Sequence, residues 1–150
     1  MRGETGAYLL LVRLNEERDI VVGSLGPIRF ARGTHVYVGS AMSGLEKRVA
    51  RHLRDEKRIR WHIDRLLASA DGVEALLVPS PVDVECELAS LISSIPGASP
   101  TRGFGCSDCR CPSHLYHLPE AAADCLRSLF PHSLKAENAR QDDEYVPRRK

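Results

Sequence analysis

The chain has 150 residues, 43% hydrophobic and 27% charged, which is enough apolar side chain for one buried core and too little length for a second independent domain. Its 21 basic and 20 acidic residues nearly cancel, which argues against a general polyanion surface and leaves nucleic-acid affinity to local clustering. No apolar run approaches the roughly 20 residues that cross a bilayer, and the N-terminus carries Arg2 and Glu4 without a signal-peptide core, so a soluble, cytoplasmic protein with no membrane partner is expected.

Ala7 to Leu14 is an apolar run broken only by Arg13, and its length predicts a strand buried on both faces. A polar turn, Asn15 to Asp19, leads into short β segments at Ile20 to Val22 and Pro27 to Phe30, and the series closes with His35 to Val38. Gly23, Gly26 and Gly33 punctuate it, so an antiparallel meander is expected. From Gly44 the period changes, because Leu45, Val49 and Leu53 recur every four residues and predict an amphipathic helix. Arg48 and His52 fall on one margin of its apolar stripe, while Lys47, Arg51 and Arg54 face outward. The stretch from His35 to His52 thus reads as strand, Gly-Ser turn and basic helix, bringing Tyr37, Arg48 and His52 to one junction. A phenol, a guanidinium and an imidazole beside an opening are tools for handling phosphate.

Trp61 opens a second helix, with Ile63, Leu66, Leu67 and Ala70 at helical spacing, and Asp71-Gly72 stops it. Val73 to Val78 is a strand. A third helix is expected to start with Ser80 as N-cap, Pro81 at the first position and Asp83 at the third, and to bury Val84, Leu88 and Leu91. Glu87 then borders one side of that face and Glu85 the other. Pro96 to Arg102 is loop, Leu115-Tyr116 suits a short strand, and Pro119 to Leu129 forms a last helix. Residues 1–132 are expected to form the domain, and the polar residues 133–150 a disordered tail. The fold class is α/β, a small, mainly antiparallel sheet flanked by helices.

Five cysteines, three of them crowded at Cys106, Cys109 and Cys111, suit reduced thiols or a metal better than a disulfide framework. With His114 they offer four ligands for structural zinc at C-x2-C-x-C-x2-H spacing. The alternative is a glycine-flanked loop over the site, to which Ser107, Asp108 or His114 contributes.

Gly6-Ala7-Tyr8, Tyr37-Val38-Gly39, Arg48, His52 and Glu87 together resemble the core of the GIY-YIG nuclease superfamily, which includes homing endonucleases and the N-terminal nuclease of the bacterial excision-repair incision protein. The chain is more closely similar to a largely archaeal GIY-YIG-like family, sometimes fused to endonuclease III. That similarity runs through Tyr37 to Ala41, Arg51-His52-Leu53, Trp61-His62-Ile63-Asp64, Glu85-Cys86-Glu87-Leu88-Ala89 and Gly103 to His114, and covers most of residues 6–117.

The resemblance implies a metal-dependent DNA endonuclease that hydrolyses phosphodiesters, acts in DNA repair and has a repair-protein partner. One divalent cation, magnesium or manganese, would be held by Glu87, since a hard cation prefers oxygen ligands. Glu87 is preferred to Glu85 because its spacing to Pro96 fits the family. Tyr8 or Tyr37 would activate or orient the attacking water, with metal and Arg48 favouring the ionised phenol. Arg48 would stabilise charge on the phosphate, and His52 would shuttle the proton, hold a tyrosine or serve only as a hydrogen-bonded core histidine. Lys47, Arg51, Arg54, Lys57 and Arg58 would line the DNA track. The chain departs from the family where about 30 residues separate the two tripeptides, which requires an inserted hairpin. It also lacks the asparagine that often follows the proline, having Gly97, Ala98 and Ser99 there. Two other readings use the same fold: a non-catalytic nucleic-acid-binding module, and a zinc-stabilised protein-interaction domain.

Overall fold

A computed structural model describes residues 4–54, 62–105 and 113–135. The first strand, β1 (Gly6–Leu14), is buried along its length apart from Arg13, as an apolar run interrupted only there requires of a strand covered on both faces. Its two neighbours are β4 (Gly33–Ala41) and β5 (Gly72–Pro79). Beyond β4 lie β7 (Leu115–Leu118) and then β6 (Ser99–Pro100), and beyond β5 lies β8 (Ser133–Lys135). The six strands run in the order β6-β7-β4-β1-β5-β8 with every pairing antiparallel.

Period-two alternation divides β1 between two cores. Tyr8, Leu10, Val12 and Leu14 pack with Leu45 and Val49 of α1 (Leu45–Leu53) and with Ile63, Leu66 and Leu67 of α2 (His62–Ser69). Ala7, Leu9 and Leu11 face the other way, onto Leu88, Ala89 and Ile92 of α3 (Glu85–Ser93) and Leu126 of α4 (Glu120–Leu129). Between β1 and β4 the chain makes the expected inserted hairpin, β2 (Arg18–Val22) paired with β3 (Gly26–Phe30) as a separate two-stranded sheet. Val22 and Phe30 anchor it to the first core.

Three expectations are corrected. The span Pro96 to Arg102, expected as loop, contains β6, where Ser99 and Pro100 pair with His117 and Tyr116 at the sheet edge. The third helix starts five residues later than Ser80, because Ser80 and Asp83 spend their side chains on tight turns, with Val82 N donating to Ser80 Oγ at 3.2 Å and Glu85 N to Asp83 Oδ1 at 2.9 Å. Its buried face is Leu88, Ala89 and Ile92, and Leu91 is 44% exposed. The boundary at residue 132 falls one strand early, since Ser133 to Lys135 add β8 to the sheet edge.

At the end of the sheet far from Tyr8, His35 and His117 are cross-strand partners with rings 4.7 Å apart. Their Nε2 atoms lie 2.9 and 3.0 Å from the carbonyls of Ala31 and Arg32. A carbonyl only accepts, so each Nε2 carries the hydrogen. The Nδ1 of His35 is buried with no hydrogen-bond partner among the described residues, and burial holds its pKa below the usual imidazole value. The unfolded chain therefore takes up a proton near pH 6.5 that the folded chain resists. Unfolding free energy is expected to be full above that pH and to decline as pH falls toward the folded pKa. Urea titrations of wild type and His35→Gln across pH 5 to 8 check this; the variant is expected to have the shallower slope below about pH 6.5.

Candidate active site

Tyr8 lies opposite Gly39 in the β1–β4 register. A Cβ at Gly39 would sit 2.4 Å from both Cζ and the hydroxyl oxygen of Tyr8, so the glycine is the floor on which the ring rests. Gly39→Ala must displace a buried ring and is expected to cost about 1–3 kcal/mol, measured by denaturant unfolding, with nearly full recovery when Tyr8 is also shortened to leucine.

Tyr37, two residues earlier on the same face, stands 6.5 Å from Tyr8 between ring centroids. Helix α1 delivers His52 from the same layer, and Tyr8 Oη meets His52 Nε2 at 2.8 Å with both residues buried. One turn earlier on α1, Arg48 donates from Nη1 to the Ser40 carbonyl at 3.0 Å, and its charge pulls down the pKa of the Tyr8 phenol. From the opposite layer comes Glu85, the first residue of α3. It accepts from Ser40 Oγ at 3.2 Å, and its other oxygen lies 3.1 Å from Nδ1 of the buried His114. His114 is held by its backbone on both sides, from His114 N to Phe104 O and from Val38 N to His114 O, each 2.9 Å. The two layers thus meet at one end of the sheet around a guanidinium, two phenols, two imidazoles and a carboxylate.

Burial sets the protonation of the phenols. It pushes Tyr8 up to about 12, with Arg48 pulling the other way. Tyr37 is pushed up further, by burial first and then by Tyr8 and Glu85, with Arg48 again opposing. The expected favouring of phenolate by Arg48 is present in sign and outweighed in size, so both phenols keep their protons at neutral pH.

The family model described as "Domain of unknown function DUF123" matches residues 7–135. The chain belongs to DUF123. No curated protein and no solved structure matches it. The matched span of DUF123 ends with β8 and contains every residue of the cluster. Among the described residues no helix is long and apolar enough to cross a membrane.

Within this DUF123 domain Tyr8, Tyr37, Arg48 and His52 come together as the sequence suggests, and Glu87 does not join them. On a helix Glu87 lies roughly 200° from Glu85, and it shares the exposed face with Leu91 while Glu85 shares the inward face with Leu88, Ala89 and Ile92. The preference for Glu87 is therefore reversed in position. Arg51 is not on a solvated track either. Its Nη1 and Nη2 bond both oxygens of the fully buried Asp64 at 3.1 Å, and its side chain is only 14% exposed. Lys47 and Arg54 are exposed as expected. Lys57, Arg58, Cys106, Cys109 and Cys111 lie outside the described residues. His62 accepts at Nδ1 from Gly105 N at 3.2 Å. Ser40 had no sequence signal beyond the Gly-Ser turn, and His114 was visible as a zinc ligand or a contributor to the site; the structure places it against Glu85.

Among the described residues no three His, Cys, Asp or Glu side chains are grouped to hold a metal. Three of the four suggested zinc ligands, Cys106, Cys109 and Cys111, lie outside those residues. At the cluster, Glu85 offers one carboxylate, which suits a hydrated magnesium or manganese ion that fills its other positions with water and phosphate oxygens.

Proposed function

We propose that this chain is a metal-dependent DNA endonuclease of the GIY-YIG type, acting on branched or damaged DNA in repair, where a repair protein would be its partner. One observation carries the reading: Tyr8, Tyr37, Arg48, His52 and Glu85 converge at one sheet end from both layers. The resemblance of Gly6-Ala7-Tyr8 and Tyr37-Val38-Gly39 to the tripeptides of that superfamily supports it. Glu85 would hold the divalent cation, which when bound neutralises phosphate charge and stabilises the leaving oxygen.

The residues supply the rest. Arg48, always charged and able to donate in parallel, holds the phosphate and opposes the charge that develops on it. The hydroxyl of Tyr37 makes no hydrogen bond among the described residues and orients the attacking water. Tyr8 stays protonated and works as a relay. As water attacks phosphorus and the P–O ester bond breaks, Tyr8 accepts the water proton and passes its own to Nε2 of His52. Exposed Lys47 and Arg54 follow the backbone on either side.

A relay through protonated Tyr8 predicts a rate that does not keep climbing tenfold per pH unit toward pH 10.5, as a phenolate base titrating at about 12 would require. The test is nicking of supercoiled plasmid and of flap and junction substrates with magnesium or manganese, from pH 5.5 to 10.5. Wild type and Tyr8→Phe are compared, and folding is followed by circular dichroism. Salt-sensitive binding without nicking would replace this reading with a binding module.

A further inference from the structure

At the sheet end opposite the candidate site, α4 leaves a cleft of about 250 Å³ above Arg13, Thr34 and Gly72, and a wider recess of about 620 Å³ continues from Arg13 to Arg32 and His117. Arg13 and Tyr8 are five residues apart on β1, roughly 17 Å at strand rise, so the two regions are separate. Gly72 is the cross-strand partner of Arg13, and the guanidinium lies flat on it: a Cβ at Gly72 would stand 2.8 Å from both Nη1 and Nη2. Gly72 is a shelf that holds the fork of Arg13 level in the cleft.

The fork is little used by the protein. Arg13 makes two long hydrogen bonds, Nε to Asn15 Oδ1 at 3.3 Å and Nη2 to the Asp71 carbonyl at 3.4 Å. Arg32 is exposed, and its side chain makes no hydrogen bond or ion pair among the described residues. The acids of the lining are engaged. Glu74 pairs with Arg127 at 2.9 Å, and Glu120 accepts the hydroxyl of the buried Thr34 at 2.6 Å. Two guanidiniums thus remain for an anion, while the remaining acceptor capacity of Glu120 suits a hydroxyl or amine on the same ligand. Planar forks match the oxygens of a phosphate group in pairs, and a recess of this volume matches a nucleotide-sized body.

We propose that this cleft is a second binding site, for a nucleotide-sized phosphate monoester, with the phosphate on Arg13 and Arg32 and a sugar hydroxyl on Glu120. The ligand is either a free nucleotide or the phosphorylated end of a nucleic-acid strand. The experiment titrates the full chain with adenosine 5′-monophosphate, adenosine, and a dinucleotide with and without 5′-phosphate, following backbone amide shifts. Saturable shifts at Arg13, Gly33 and Gly72 with the monophosphate are expected, with adenosine at least ~tenfold weaker. Arg13→Gln is expected to weaken the monophosphate ~tenfold. Gly72→Val is expected to do the same with net charge unchanged, since the new Cβ meets the guanidinium of Arg13 first and lifts its flexible end off the shelf. Binding of the phosphorylated dinucleotide identifies a strand end as the ligand; its failure beside a binding monophosphate identifies a free nucleotide. Equal binding of adenosine, or full affinity in Arg13→Gln, overturns the site. Loss in Arg13→Gln with full affinity in Gly72→Val overturns the shelf and leaves only diffuse positive charge.

Discussion

Glu85→Ala is expected to lower metal-dependent nicking by about 10²–10³-fold, a loss of the size seen when a preorganised charge-stabilising group is removed. Glu87→Ala is expected to leave the rate within about twofold, as an exposed helix residue away from the site should. The two glutamates are separated by one residue and have the same chemistry, so composition, net charge and helix propensity are matched between the variants. Only direction differs. Glu85 touches Ser40 and lies against His114, whereas Glu87 shares the exposed face of α3 with Leu91. Plasmid nicking with manganese, run beside a binding titration of the metal, reads both consequences. If Glu87→Ala abolishes nicking and Glu85→Ala does not, the carboxylate is misassigned and the inward face of α3 has no catalytic meaning. Arg48→Ala should match Glu85→Ala in rate, because its guanidinium is the cation that spans Ser40 and Tyr8.

The largest effect on stability is expected at Asp64. Its carboxylate is fully buried, and both oxygens are held by one guanidinium. Asp64→Ala leaves Arg51 nearly buried without its counter-charge, and Arg51→Ala leaves a carboxylate in the core. Either change is expected to cost about 3–5 kcal/mol. Replacing both with apolar residues of similar volume, Arg51→Met with Asp64→Leu, should cost clearly less than either alone, because desolvation of both charges is removed together. Urea unfolding of the three variants measures the coupling. Additive losses would mean that the pair contributes nothing as a pair. The pair also ties α1, which carries Arg48 and His52, to α2, so the single variants should loosen the candidate site as well.

Much of the fold was legible because its signals are local. The apolar run from Ala7 to Leu14, broken only by Arg13, requires cover on both faces, and β1 has it apart from Arg13. The four-residue recurrence of Leu45 and Val49 marks α1, and the separation of the two tripeptides demands the β2–β3 hairpin, which is present. What failed was phase. The Ser80-Pro81-Val82-Asp83 run has the composition of a helix start, yet Ser80 and Asp83 close turns instead, and the helix begins at Glu85. Its inward face is Leu88, Ala89 and Ile92, with Leu91 exposed, and Glu85 rather than Glu87 shares that face. Arg51 failed for a related reason. A basic residue on the outer margin of a helix reads as solvated until a second helix brings a carboxylate against it.

By itself the sequence determined the strands β1 to β5 and β7, the existence of the four helices, the inserted hairpin and the presence of Tyr8, Tyr37, Arg48 and His52 near one junction, because periodicity and turn chemistry act over a few residues. Only the tertiary structure decided which carboxylate meets them, that burial keeps both phenols protonated, that His114 lies against Glu85 and that Arg13 rests on Gly72. Each of these depends on side chains distant in sequence meeting across the sheet or between helices, and on the desolvation that their meeting causes.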